Sequence, residues 1–159
     1  MLRRTFIQAL AIAGGSAQTA CAAKAQESFE VQHSDEEWRR LLPGPAYRVL
    51  RHEDTERPFT SALLDEHRHG IFQCAGCRLP LFASDAKFDS HTGWPSFWQP
   101  LKDAIRNRDD NSLGMQRTEV HCRRCGGHQG HLFDDGPPPT GLRYCINGLA
   151  LTFVAGVTP

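Results

Sequence analysis

Two C-x-x-C pairs, in "FQCAGCRLPLF" and "EVHCRRCGGHQG", constrain this chain more than any other feature. Each sits at the tip of a strand-like run, with Gly76 inside the first turn and Gly126 directly after the second. Two intervening residues let both sulfurs face one point, and glycine lets the backbone curl until amide hydrogens approach the sulfurs. Two such knuckles make a tetrahedral four-thiolate site, so Zn2+ is expected on Cys74, Cys77, Cys122 and Cys125. Forty-four residues lie between Cys77 and Cys122. The metal would therefore clamp distant parts of one domain, as a structural ion outside the chemistry. Three other readings stand beside this one: a local disulfide in each pair, a redox dithiol in one of them, or His121, His128 or His131 replacing a cysteine in a mixed site. The doubling counts against the dithiol, which needs no twin.

The chain has 159 residues, enough for one domain with a single core. Its start reads as an address. "MLRRTF" is basic, "FIQALAIAGG" is apolar but too short to span a bilayer, and "AAKA" offers a cleavage site before Gln26. Arg3-Arg4 followed by Phe6 and Ile7 resembles a twin-arginine export signal, so residues 1–25 are expected to direct the chain to the periplasm. An ordinary secretory signal is the alternative. "TAC" at 19–21 also resembles the end of a lipoprotein cleavage box, and membrane attachment is expected only if Cys21 is lipidated. Beyond residue 25, 15 basic side chains face 18 acidic ones. That balance argues against nucleic acid as a partner. Residues 26–46 are read as an N-terminal helical segment and 47–159 as the zinc-bearing domain, expected to be a monomer.

Ser34 and Glu37 form a capping box signature, with Trp38, Leu41 and Leu42 at helical spacing up to Pro43. "SALLDEHRH" suggests one or two further turns. Elsewhere Pro and Gly interrupt the chain, and "YRVLR", "GIFQC", "RTEVHC", "HLF" and "LRYCI" read as strands. The fold class expected is mainly β, two antiparallel sheets with short N-terminal helices and a zinc clamp.

Cleavage after Ala25 would remove Cys21 and leave five cysteines, an odd number that frees one thiol for another role. That thiol is Cys145, in "GLRYCINGLALTF". In a strand, Arg143, Cys145 and Asn147 share one face while Leu142, Tyr144 and Ile146 take the other. After Gly148 the apolar phase moves to Leu149, Leu151 and Phe153, which suggests a bulge there. A fixed positive charge beside a thiol favours the thiolate, the nucleophilic form. A small buried cysteine is the bland alternative. His128 and His131 stand just upstream, and the "PPPTG" loop returns the chain so that they can meet Cys145 as proton donors. Trp94, in "DSHTGWPSFWQP", is either core or the wall of a small apolar pocket.

Taken together, "YRVLRHEDTERPFT", "CAGCRLPLF", "KFDSHTGWPSFW", "RTEVHCRRCGGHQGHLFDDGPPPTG" and "LRYCING" resemble, in order, the B-type methionine sulfoxide reductases. The resemblance runs from about Tyr47 to Phe153. It implies zinc on the four paired cysteines, Cys145 as nucleophile, Trp94 as the surface receiving the substrate methyl, and His128, His131 and Asn147 around the sulfoxide oxygen. Arg143 would support the thiolate. The implied substrate is the R epimer of methionine sulfoxide, free or in proteins, and the implied chemistry passes through a sulfenic acid. Three departures stand out. Gln129 replaces a common leucine, Gly148 replaces the serine usual after the asparagine, and His91-Thr92 replaces the Gly-Cys that supplies a resolving cysteine in many members. With no resolving thiol, an external thiol reductant such as a thioredoxin-like protein is the expected partner. A zinc-ribbon binding module or a purely structural protein would leave Cys145 idle.

Overall fold

The computed structural model describes residues 27–158; the expected export signal and Cys21 lie outside them. The described residues open with two short helices, α1 (Asp35–Leu41) and α2 (Gly44–His52). The capping box forms as expected: Ser34 N–H donates to the Glu37 carboxylate at 2.8 Å, and Glu37 N–H returns to Ser34 Oγ at 3.3 Å. Trp38 is the side chain α1 buries.

"YRVLR" is helix rather than strand. Ala46, Tyr47, Val49 and Leu50 are all buried, a spacing that puts one face of α2 on the core. Pro45 sits in the first turn, where its missing N–H costs nothing, and Glu53 ends the helix in a left-handed conformation. The expected helical turns of "SALLDEHRH" reduce to two overlapping turns, Leu64 N–H on Ser61 O at 3.2 Å and Glu66 N–H on Leu63 O at 3.5 Å.

Nine strands follow among the described residues: β1 (Gly70–Cys74), β2 (Pro80–Ala83), β3 (Lys87–Phe88), β4 (Ser96–Phe97), β5 (Ile105–Asp110), β6 (Arg117–Cys122), β7 (His128–Phe133), β8 (Arg143–Ile146) and β9 (Leu151–Ala155). They form two sheets with antiparallel pairing throughout, β2-β1-β9 and β3-β4-β8-β7-β6-β5. The mainly β, two-sheet expectation is correct. Phe72 of β1, Phe82 of β2 and Phe97 of β4 join the sheets in the core: Phe82 stacks on Phe97 at 4.3 Å between centroids, and Phe72 meets it edge-on at 5.0 Å. Such offset and edge contacts suit the ring quadrupoles.

The break after Gly148 is a 3-10 turn, Gly148–Ala150, in place of the expected bulge. Three residues in that turn carry the chain from β8 in the large sheet to β9 in the small one, which explains the phase change. Asn147, the last residue before it, is thereby fixed at the seam between the sheets.

Candidate active site and metal centre

The four paired cysteines converge. Cys74 and Cys125 sulfurs are 3.7 Å apart, Cys77 and Cys122 sulfurs 3.5 Å, and all four lie within 4.8 Å of one another. A tetrahedral ion with bonds of about 2.3 Å requires sulfurs about 3.8 Å apart, so the donor set and its spacing fit zinc. All four cysteines are free rather than paired in disulfides, and His121, His128 and His131 stay outside the cluster. Proximity pushes Cys77 and Cys122 towards ionisation and Cys74 and Cys125 away from it, the mutual effect of thiols sharing hydrogen bonds. A central dication lets all four ionise together.

Both knuckles use one backbone plan. Arg78 N–H bonds to Cys74 O at 2.9 Å, and Gly126 N–H bonds to Cys122 O at 2.9 Å. The residue after each second cysteine takes positive φ, 61° at Arg78 and 67° at Gly126.

Cys145 lies elsewhere, in the middle of β8. Its register partners are Ser96 on β4 and His131 on β7. It is half-buried and lines a cavity of about 140 Å³ with Thr55, Trp94, Arg117, Gly130, His131, Phe133 and Asn147. Gly130 allows the strands to approach: a Cβ there would strike the Cys145 carbonyl. A groove of about 570 Å³ behind the site, lined by Leu41, Leu63 and Leu149 among others, holds no thiol.

Each group around the sulfur is held by a second one. Arg143 makes a two-pronged ion pair with Asp135 at 2.8 and 2.9 Å, and its guanidinium lies 4.2 Å from the centroid of Phe133. His131 Nε2 bonds to Asp110 Oδ2 at 2.8 Å, and Arg117 holds the same oxygen at 2.7 Å. His128 does not line the cavity; it is buried against Glu119, Nδ1 to Oε1 at 2.7 Å, with its ring 5.4 Å from that of His131. Asn147 donates to Gln129 O at 3.1 Å and accepts Glu56 N–H at 3.0 Å. The indole N–H of Trp94 donates to Glu56 O at 3.1 Å.

The electrostatics oppose one another. Burial pushes the Cys145 thiol up from its ordinary value, and the Arg143 charge and the Thr92 hydroxyl pull it back. The expected help from Arg143 is present, but burial outweighs it because Asp135 shares that charge. His131 is lowered by burial, with Asp110 resisting the shift. Hydrogen bonds from Ser112 and His131 hold Asp110 far below the usual carboxylate range.

Among the residues named from the sequence, Cys145, Trp94, His131 and Asn147 share one cavity, Arg143 and His128 stand beside it, and the four metal cysteines are separate. Thr55, Glu56, Asp110, Arg117, Phe133 and Asp135 were not singled out. Asp135 had a signal, since it follows another aspartate directly after the predicted strand "HLF"; Asp110 adjoins no predicted strand. Thr92, at the position of the absent resolving cysteine, places its hydroxyl 3.9 Å from Cys145 Sγ and is itself held by Ser90 Oγ at 2.8 Å. Gly148 has a steric reason: a Cβ there would collide with the Ser61 hydroxyl, while its N–H bonds to the Glu56 carboxylate. Gln129 is fully buried, and its amide donates to Cys74 Sγ at 3.6 Å.

A solvent-reachable sulfur with a histidine across the strand, on a sheet pinned by four thiolates, defines a thiol enzyme with a structural metal clamp. Residues 42–155 match the SelR domain family, and the chain belongs to it. Similar proteins include "Peptide methionine sulfoxide reductase MsrB" of Leptospira interrogans, 51% identical over 79% of this chain and 97% of its own length. The protein of the same name from Thiobacillus denitrificans is 54% identical over 79% of this chain and 96% of its own. That of the archaeon Methanosarcina barkeri is 50% identical over 77% and 87%.

Proposed function

We propose that this chain reduces methionine sulfoxide to methionine, in the R configuration, with Cys145 as the nucleophile. The observation that carries the reading is the small cavity in which Cys145, His131, Asn147 and Trp94 meet. Family membership and relatives at about half identity support it. Zinc on the four paired cysteines supplies coordinate bonds that hold the two hairpin tips together; every chemical step belongs to protein side chains.

The substrate methyl lies against Trp94, whose indole is fixed by Glu56 O. The Cys145 thiolate attacks the sulfoxide sulfur while a proton passes to the oxygen. His131 is the donor, because of the two histidines it alone lines the cavity. The sulfoxide sulfur gains two electrons and leaves as a thioether; Cys145 loses two and retains the oxygen as a sulfenic acid. One external thiol then displaces water to form a mixed disulfide, and a second releases Cys145 and leaves as the oxidised disulfide. Thr92 has no thiol to offer at the point where an internal partner would stand. Residues 1–25 direct this domain to the periplasm, where a thioredoxin-like protein is the fitting reductant.

One turnover without reductant tests the cycle. The expected Cys145 peptide is one oxygen heavier, and a disulfide within the native chain would overturn the scheme. Thr92→Cys should convert that oxygen adduct to a disulfide, since the side chains at 92 and 145 already approach to 3.9 Å.

A further inference from the structure

Phe59 leaves 71% of its surface in solvent, and its backbone has φ of 64°, a conformation bulky side chains rarely adopt. A strained backbone is retained where the surroundings enforce it, and such positions cluster at functional sites. Here the enforcement is specific. Phe59 N–H bonds to Gly93 O at 2.8 Å, and a Cβ on Gly93 would fall 2.8 Å from Pro58 Cβ and 3.0 Å from the Phe59 ring. Gly93 is thus a flat seat for the 58–59 turn, and the next residue is Trp94, the cavity wall.

The other end of the same loop enters the cavity. Thr55 lines it, and the Glu56 main chain holds both Asn147 and Trp94. Five residues therefore run from the floor of the site to an exposed aromatic ring beside its wall. A cavity of about 140 Å³ takes one side chain. The rest of a peptide must lie outside, over the rim. An apolar residue whose backbone is fixed before binding has no main-chain entropy left to lose on contact, which is what a docking residue needs.

We propose that Phe59 is a specificity-determining residue that receives an apolar side chain next in sequence to the oxidised methionine, so that peptides with such a neighbour are the preferred substrates. The proposal rests on the reading of the Cys145 cavity as the sulfoxide site. Its test uses two tripeptides oxidised at a central methionine, one flanked by leucine and one by glycine, together with N-acetylmethionine sulfoxide. The native enzyme should favour the leucine-flanked peptide over the glycine-flanked one in kcat/KM by about tenfold, through KM. Phe59→Ala should bring that ratio to about one, and Phe59→Tyr should restore it. Phe59→Gly, which the left-handed backbone accepts, should give the alanine result and guards against a folding defect. The same ratio in native and alanine enzymes, or an equal loss of kcat on both peptides, would overturn the proposal. An enzyme inert to all three substrates would instead sink the sulfoxide reading, and this proposal with it.

Discussion

Five cysteines of one domain occupy two environments, and the neighbours of each sulfur decide its chemistry. In the clamp, sulfur faces sulfur at 3.5 and 3.7 Å, on turns whose N–H groups close back on the first cysteine. At Cys145, sulfur faces a hydroxyl, a histidine and open space. The first arrangement is complete once a cation sits in it; the second is built to stay incomplete until substrate arrives. The two regions touch through Gln129. Its carbonyl accepts Asn147 of the cavity, while its side chain donates to Cys74 of the clamp.

The sharpest break between the regions comes from deleting a sulfur on each side. Cys145→Ser should lower sulfoxide reduction by about 10³-fold or more while zinc content and Tm stay native. Cys125→Ser should do the converse: metal is lost and Tm falls on the order of 10 °C or more, because binding free energy here is folding free energy. Activity would then track the folded fraction. If Cys125→Ser kept its Tm and lost only turnover, the division of roles would be wrong.

The pH profile of kcat/KM separates the regions more finely. A raised thiol and a lowered histidine mean that the resting pair is neutral thiol and neutral imidazole. The reactive thiolate–imidazolium form carries the same number of protons, so its share is constant between the two pKa values. The expected profile is a plateau whose acid limb lies below 6.5 and whose alkaline limb lies above 9.0, the ordinary imidazole and thiol values. Asp110 favours the imidazolium; Asp110→Asn should move the acid limb to still lower pH and cost about tenfold in rate. Limbs inside those ordinary values would contradict the burial argument.

Why the clamp and the thiol were readable from sequence, and their supports were not, follows from the same contrast. Cysteine pairs carry their chemistry in residue type and spacing, and alternation along β8 was enough to put Arg143, Cys145 and Asn147 together. Asp110 and Arg117 reach His131 through the antiparallel register of β5, β6 and β7, which local sequence does not encode. Glu56 positions Asn147 and Trp94 through its main chain, so no side-chain pattern marks it. "YRVLR" fails for another reason: within five residues, period two and period 3.6 are indistinguishable, and only the longer run with Pro45 inside its first turn reveals α2. The return of the "PPPTG" loop brings both upstream histidines towards Cys145 in the sequence reading, but only His131 lines the cavity, while His128 is buried against Glu119.

A smaller effect is expected at the bridge itself. Among the described residues Gln129 Oε1 is buried without a hydrogen-bond partner, while the amide nitrogen on the same side chain donates to a metal-binding sulfur. Gln129→Leu, which installs the residue common in the family, should raise Tm by about 1–3 °C by removing the unpaired oxygen. It should also make zinc release under peroxide about tenfold faster, since Cys74 loses a donor that damps its nucleophilicity. A rise in Tm with unchanged zinc release would reduce Gln129 to a core residue.

The smallest effect lies within the clamp, where the two knuckles differ at the position after the second cysteine, Arg78 in one and Gly126 in the other. Arg78 carries a side chain at φ of 61°, which costs an L-residue roughly 1–2 kcal/mol relative to glycine. Its compensation is a 3.4 Å exposed contact with Thr152 Oγ1. Arg78→Gly relieves the backbone but adds unfolded-state entropy, so a net gain of about 0.5 kcal/mol is expected. At Gly126 the sign reverses. A Cβ there would lie 2.5 to 2.8 Å from the Phe29 ring, in the segment that crosses the second knuckle with Val31 N–H on Arg124 O. Gly126→Ala should therefore cost about 1–3 kcal/mol, from strain and displacement of Phe29 together. Thermal unfolding of the zinc-loaded pair decides it: shifts of opposite sign mean that one backbone plan is used twice and sealed by the N-terminal segment on one side only, whereas shifts of the same sign would mean that the knuckles are built differently.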